Sequence, residues 1–165
     1  MLEQYWKRFE SGTDIRGVAS EGVAGEEVGL TDEAIERMTA GFALFLAKKR
    51  KKDVSALTVA VGHDSRISAE RIRSAVVRTL ICAGARVLDC GLASTPSMFL
   101  TTVDLGCDGS VQITASHHPF NRNGLKFFTP EGGLNSADIE EILLSAQEGK
   151  KPAPGTGSVQ ETDYM

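Results

Sequence analysis

Thr114-Ala115-Ser116-His117-His118-Pro119 sets a hydroxyl beside two imidazoles and closes the run with a proline. A serine hydroxyl is a poor nucleophile until a base or a phosphate donor activates it. His117 and, further along, Lys126 are groups that could accept or supply its proton. Two other polar runs carry arginine: Ser11-Gly12-Thr13-Asp14-Ile15-Arg16-Gly17 and Gly62-His63-Asp64-Ser65-Arg66. The planar fork of Arg16 or Arg66 matches phosphate oxygens. Glycines on either side of the first run let the backbone approach a ligand closely. Ser94-Thr95-Pro96-Ser97 is a fourth polar loop. From residue types and spacing, this is a hypothesis of anion chemistry.

Each residue also has a plainer use. Serines cap turns through local hydrogen bonds. Neighbouring side chains diverge, and no third ligand is spaced with His117 and His118 to make a metal site. Arg66 could form a surface ion pair with Asp64, and Lys126 could be an edge-strand lysine that discourages aggregation. A serine hydrolase built on Ser116 and His117 lacks the G-x-S-x-G elbow, and adjacent residues rarely face each other as serine and base must.

Helix and strand patterns alternate around these runs. Thr31 caps an expected helix that opens with Asp32 and Glu33, carries Ile35, Met38, Phe42, Phe45 and Leu46 at helical spacing, and ends in Lys48-Lys49-Arg50-Lys51-Lys52. That basic end suits the helix dipole better than it suits a nucleic acid. Leu57–Val61 reads as a strand ending at Gly62. A helix capped by Ser68 follows and closes at Gly84. Arg86–Cys90 is a second strand, Thr95-Pro96 opens a short helix, and Ser110–Thr114 is a third strand. Leu125–Phe128 is a fourth strand, and Asn135 or Ser136 caps a last helix with Ile139, Ile142 and Leu143. This alternation implies a three-layer α/β/α sandwich with a mixed, mostly parallel sheet. Ligands of such sheets sit beyond the carboxyl ends of the strands. The boundaries read are 1–148 for the domain and 149–165 for a linker or frayed tail.

The chain has 165 residues, 41% hydrophobic and 24% charged, as expected of one domain with a real core. A formal net charge of -4 argues against a general nucleic-acid binder. No apolar run is long enough to span a bilayer, and the N-terminus lacks an apolar signal core, so a cytoplasmic protein is expected. Cys82, Cys90 and Cys107 form no CxxC pair and read as buried small hydrophobes in a reducing compartment.

Taken together, the loops resemble those of the α-D-phosphohexomutases, the phosphoglucomutase and phosphomannomutase family. Thr114–Pro119 followed by Asn123-Gly124-Leu125-Lys126 is similar to that family's T-A-S-H-N-P loop and its N-G-x-K. Gly12–Gly17 resembles the family's N-terminal arginine loop, Val61–Arg66 its V-G-x-D-x-R turn, and Thr95-Pro96 its T-P. The four signals stand in family order over residues 11–134. His118 replaces the usual asparagine and adds a second imidazole that could titrate near neutral pH.

The resemblance implies the first domain of a mutase that interconverts hexose 1-phosphates and hexose 6-phosphates through a bisphosphorylated sugar. Ser116 would be the phosphoserine. Lys126 would be the general acid/base, His117 would contact the reacting groups, and Arg16 would lie near the phosphoserine. Arg66, His118 and Asn123 would line or support the phosphate site. The implied cofactors are Mg²⁺, bound in part through the phosphate on Ser116, and a hexose 1,6-bisphosphate. The family's D-G-D-x-D-R metal loop is absent from this chain. The implied partners are hexose phosphates and the remaining domains of a full-length enzyme, with no nucleic acid and no membrane. The isolated chain is then expected to be inactive. The alternative is a stand-alone, non-catalytic module that binds sugar phosphates or partner domains.

Overall fold

A computed structural model of the chain describes residues 1–115 and 119–162. Ser116, His117 and His118 lie outside the described residues. The elements in chain order are α1 (Gln4–Lys7), β1 (Glu10–Ser11), β2 (Asp14–Val18), α2 (Asp32–Arg50), β3 (Thr58–His63), α3 (Ala69–Cys82) and β4 (Arg86–Leu92). There follow α4 (Thr95–Asp104), β5 (Gly109–Ile113), β6 (Arg122–Thr129), β7 (Gly132–Gly133), α5 (Ser136–Glu148) and β8 (Ser158–Glu161).

The helices start where their caps are. Thr31 accepts from the Ala34 amide and Ser94 from the Ser97 amide, while Asn135 and Asp138 form a reciprocal capping box. Ser68 stands at the start of α3 but makes no capping bond. Its hydroxyl instead accepts from the Asn123 side chain. The expected face of α2 is buried throughout: Ile35, Met38, Phe42, Phe45 and Leu46. Each such burial is worth about 1.5–3 kcal/mol. The basic end of α2 is largely spent on acids: Lys48 pairs with Glu141, Lys49 with Glu131, and both Arg50 and Lys52 with Asp108.

The strands form one mixed sheet in the order β1-β2-β6-β5-β3-β4-β8, with β7 paired to β6. β3 runs parallel to β4 and β5, and β4 parallel to β8, as helical crossovers require. β6 runs antiparallel to both β5 and β2. Residues 114–121 between β5 and β6 are too few for a crossover, so the chain must turn back. This antiparallel half is larger than the strand–helix alternation suggests.

Period-two alternation gives the sheet two distinct faces. Val59, Val61, Val87, Val111, Ile113, Leu125 and Phe127 point toward α2, α3 and α5 in one core. Ala60, Leu88 and Phe128 point the other way, where Met98 of α4 and Cys107 meet them. Lys126 lies in β6 with a strand on each side, which rules out an edge-strand role.

The segment after α5 is not frayed throughout. Gly155 and Gly157 donate to the Cys82 and Ile81 carbonyls, and residues 158–161 add a strand beside β4. A Cβ at Gly157 would overlap the Ala85 carbonyl, so the glycine permits this close passage. All four residues of β8 are exposed, as befits an edge. The cysteines also depart from expectation: Cys107 is buried, Cys90 is half-buried and Cys82 is exposed. Burial is the main cause that pushes the Cys90 and Cys107 thiols up to about 11, with Asp89 adding to the shift at Cys90. Among the described residues, no helix is long and apolar enough to cross a membrane.

Candidate active site

β2 and β6 bring Arg16 and Lys126 together. In their antiparallel register Ile15 faces Leu125 and Arg16 faces Gly124. Ile15 and Leu125 enter the large core, so Asp14, Arg16 and Lys126 fall on the opposite face of the sheet. Gly124 is needed for this approach. A Cβ there would overlap the Ile15 carbonyl and crowd Arg16 Cα at 3.1 Å.

Asp14, the first residue of β2, holds both cations. Its Oδ2 accepts from Arg16 Nη2 at 2.7 Å and its Oδ1 from Lys126 Nζ at 2.9 Å. Asp14 is only 7% exposed, so both contacts are shielded from water. The other arm of Arg16, Nη1, donates to the Ala115 carbonyl at 2.8 Å. Arg16 is therefore tied to the residue just before Ser116. Lys126 Nζ also sits 5.6 Å from the centre of the Phe128 ring.

A second set of contacts comes from the turn after β3. The Asp64 amide donates to the Ile113 carbonyl. Asp64 Oδ2 accepts from the Thr114 hydroxyl at 2.7 Å, and Oδ1 accepts from the Arg66 amide at 3.1 Å. Arg66 Nη1 reaches the Pro119 and Arg122 carbonyls at 2.7 and 3.2 Å. Its Nε lies 3.6 Å from Asp64 Oδ2, but its side chain is only 12% exposed, so this is no surface ion pair. Thr114 and Ala115 on one side, and Pro119 on the other, are thus anchored by Asp64, Arg16 and Arg66.

Asn123 takes a different place from the other sequence-derived candidates. Its side chain is fully buried, donating to Ser68 Oγ and accepting from the Gly124 amide. Such a group supports the β6 backbone. Ser116, His117 and His118 fall outside the described residues.

Sequence reasoning missed Asp14, Asp64 and Thr114 as individual actors. The available signal was spacing. Asp14 and Arg16 stand two apart on a strand and must share a face, and Asp64 and Arg66 have the same spacing across a turn.

The carboxylates nearest the site are engaged with cations and hydroxyls. Among the described residues, no group of three or more His, Cys, Asp or Glu side chains could hold a metal ion. These residues do not by themselves fit a Mg²⁺ site. A cleft of ≈ 700 Å³ between α2, α3 and residues 149–154 lies on the other side of the sheet. Its Arg37 and Arg78 already pair with Glu33 and Glu36.

Residues 10–152 match a family described as phosphoglucomutase/phosphomannomutase, alpha/beta/alpha domain I. A phosphoglucosamine mutase of Lactobacillus gasseri is 38% identical over 160 residues, which is 93% of this chain and 33% of that protein. A phosphoglucosamine mutase of Geobacillus kaustophilus is 36% identical over 129 residues, covering 76% of this chain and 27% of that protein. The fold is shared with a phosphoglucomutase/phosphomannomutase family protein of Burkholderia thailandensis, at a TM-score of 0.76 and 23% identity over 99% of this chain and 34% of that one. A putative phosphomannomutase from Thermus thermophilus superposes with a TM-score of 0.73 at 25% identity, over 94% of this chain and 33% of that one. The chain thus spans about a quarter to a third of the length of the curated relatives it matches.

Proposed function

The chain belongs to the phosphoglucomutase/phosphomannomutase family as an alpha/beta/alpha domain I, and on that premise we propose that it is the phosphoserine-bearing part of an enzyme that interconverts hexose 1-phosphate and hexose 6-phosphate. The observation that carries the proposal is the Arg16 guanidinium bonded to Ala115, next to Ser116, and joined to Lys126 through Asp14. Two cations joined through one carboxylate, one of them bonded to the residue that precedes Ser116, suit a phosphoryl group with about -1.5 to -2 charges.

In this reading Ser116 Oγ carries the phosphoryl group in the resting enzyme. A sugar hydroxyl attacks phosphorus, the Oγ–P bond breaks and a bisphosphorylated sugar forms. The hydroxyl proton passes to Lys126 or His117, and the departing Ser116 Oγ takes up a proton by the same route. The sugar turns over and Ser116 Oγ attacks its other phosphate, the serine proton passing through the same groups to the departing sugar oxygen. Such transfer relies mainly on positioning and charge neutralisation. Arg16 supplies charge at the phosphoserine. Arg66 bonds the Pro119 and Arg122 carbonyls, and Asn123 supports β6 at Gly124. Mg²⁺, when bound, would add charge neutralisation at the phosphate.

Amino-sugar phosphates are the first substrates to test, because phosphoglucosamine mutases are among the curated relatives. The sugar clamp and further metal ligands would belong to the rest of a longer polypeptide. The outer surface of α4 and its C-cap agrees with that placement: Leu100, Val103 and Leu105 are 50%, 46% and 42% exposed. This favours a part that packs against further chain over a stand-alone binding module.

The test is to supply the polypeptide encoded by the gene with hexose 1-phosphates and a trace of the matching 1,6-bisphosphate. Interconversion with phosphate on the Ser116 peptide by mass spectrometry is expected, and both should be lost in Ser116→Ala. The 165-residue chain alone should give no sustained turnover. Full turnover by Ser116→Ala would sink the reading.

A further inference from the structure

Asp14 is a carboxylate placed where carboxylates are electrostatically unwelcome. A phosphate bound by Arg16 and Lys126 would lie close to it, and like charges at such distances repel, more strongly where water is excluded. Yet the carboxylate is nearly buried and spends one oxygen on each cation. Its backbone leaves it little freedom. Asp14 follows the tight turn through Gly12, whose φ of 62° is in the left-handed region, and opens strand β2. Ser11 pairs with Asp14 across that hairpin, and β6 flanks the next residues.

Resting on the mutase reading, we propose that Asp14 is a positioning residue that fixes the distance and aim of Arg16 and Lys126. Without it the two cations on adjacent strands would repel and swing apart within their rotamer freedom. With it, the Arg16 fork is held flat between the Asp14 carboxylate and the Ala115 carbonyl. The lysine ammonium is drawn toward the same point from β6. Asp14 need not touch the sugar or the transferred phosphoryl group. It acts through its two partners, so its loss should slow the transfer step far more than it weakens substrate binding. A carboxylate present only for stability would show the opposite pattern, shifting the unfolding midpoint and leaving the turnover of folded enzyme intact.

The test uses Asp14→Asn, close in shape but uncharged, in the polypeptide encoded by the gene. The expected result is a fall in kcat of about 10–100-fold, the scale of small misplacements in a reacting site, with KM changed less than about threefold. The readout independent of activity is acylation of Lys126 by acetic anhydride, measured by peptide mass spectrometry against the exposed Lys48. Lys126 should become severalfold more reactive once its partner is gone. Asp14→Glu keeps the charge but moves it by one methylene, and serves if the asparagine variant does not fold. It should also lose kcat with KM retained. Unchanged kcat in folded variants, or unchanged Lys126 reactivity, overturns the proposal. If the unsubstituted polypeptide neither interconverts hexose phosphates nor takes phosphate on Ser116, the mutase reading fails. The Lys126 labelling then decides by itself whether Asp14 holds the cations.

Discussion

On one face of the sheet, α2, α3 and α5 bury Val59, Val61, Val87, Val111, Ile113, Leu125 and Phe127 in a continuous apolar core. On the other face, α4 covers Ala60, Leu88 and Phe128, while Asp14, Arg16 and Lys126 occupy the β2–β6 part. The same strands serve both faces, one residue apart. Ile15 and Leu125 bind β2 and β6 into the core, and their sequence neighbours Asp14, Arg16 and Lys126 inherit the rigidity. The thick face supplies stability, and the thin face can then carry partly buried charge that adds little to it.

The comparison can be broken by substitutions on each side. The largest effect on stability is expected from Phe42→Ala. The ring is fully buried and stacks on Phe127 at 4.3 Å between centroids. A loss of about 3–5 kcal/mol in urea unfolding is expected, enough to threaten the fold of this domain. A loss below about 1 kcal/mol would mean that the face with α2 is not the one that holds the sheet together.

Gly124→Ala should cost less stability and more function. The added methyl overlaps the Ile15 carbonyl and forces β2 away from β6. About 1–3 kcal/mol is expected from such overpacking, together with loss of phosphoryl uptake on Ser116 even under conditions where the variant is folded. Retained uptake would show that the β2–β6 spacing does not govern the site.

The smallest effect is expected at Asp108, next to the start of β5 and away from the site. Burial pushes its carboxyl up, but hydrogen bonds from Lys52, the Thr58 amide and Arg50 outweigh this and hold it below the ordinary 3.8. A folded pKa below the unfolded one stabilises fully above the unfolded value and loses that contribution as pH falls through the folded one. Asp108→Asn should therefore cost about 1 kcal/mol at pH 7, because its cationic partners are partly solvated. The difference should close as unfolding is measured at pH values falling below 3.8. A gap that persists in acid would assign the effect to packing instead of charge.

Local signals were legible in the sequence wherever local physics decides. Thr31 and Asn135 start helices because their side chains satisfy nearby amides, and Pro96 suits the first turn of α4. The α2 stripe from Ile35 to Leu46 is buried because helical spacing puts it on one side. The ordered loops also carried the family, because residue types alone define such a pattern. Ser68 shows the limit. It is a good cap by type, yet its hydroxyl serves Asn123, fifty-five residues away in sequence. The antiparallel return of β6, the edge strand at 158–161 and the fully buried place of Asn123 likewise depend on partners distant in sequence.

By itself the sequence determined which residues could do chemistry, where the four longer helices form and which family the loops match. Only the tertiary structure decided that Arg16 and Lys126 share one carboxylate, because that contact spans 112 residues between Asp14 and Lys126 and exists only in the β2–β6 register. A hydrogen bond needs its atoms within about 3 Å. Strand pairing, with a glycine at the crossing point, meets that condition where sequence spacing cannot.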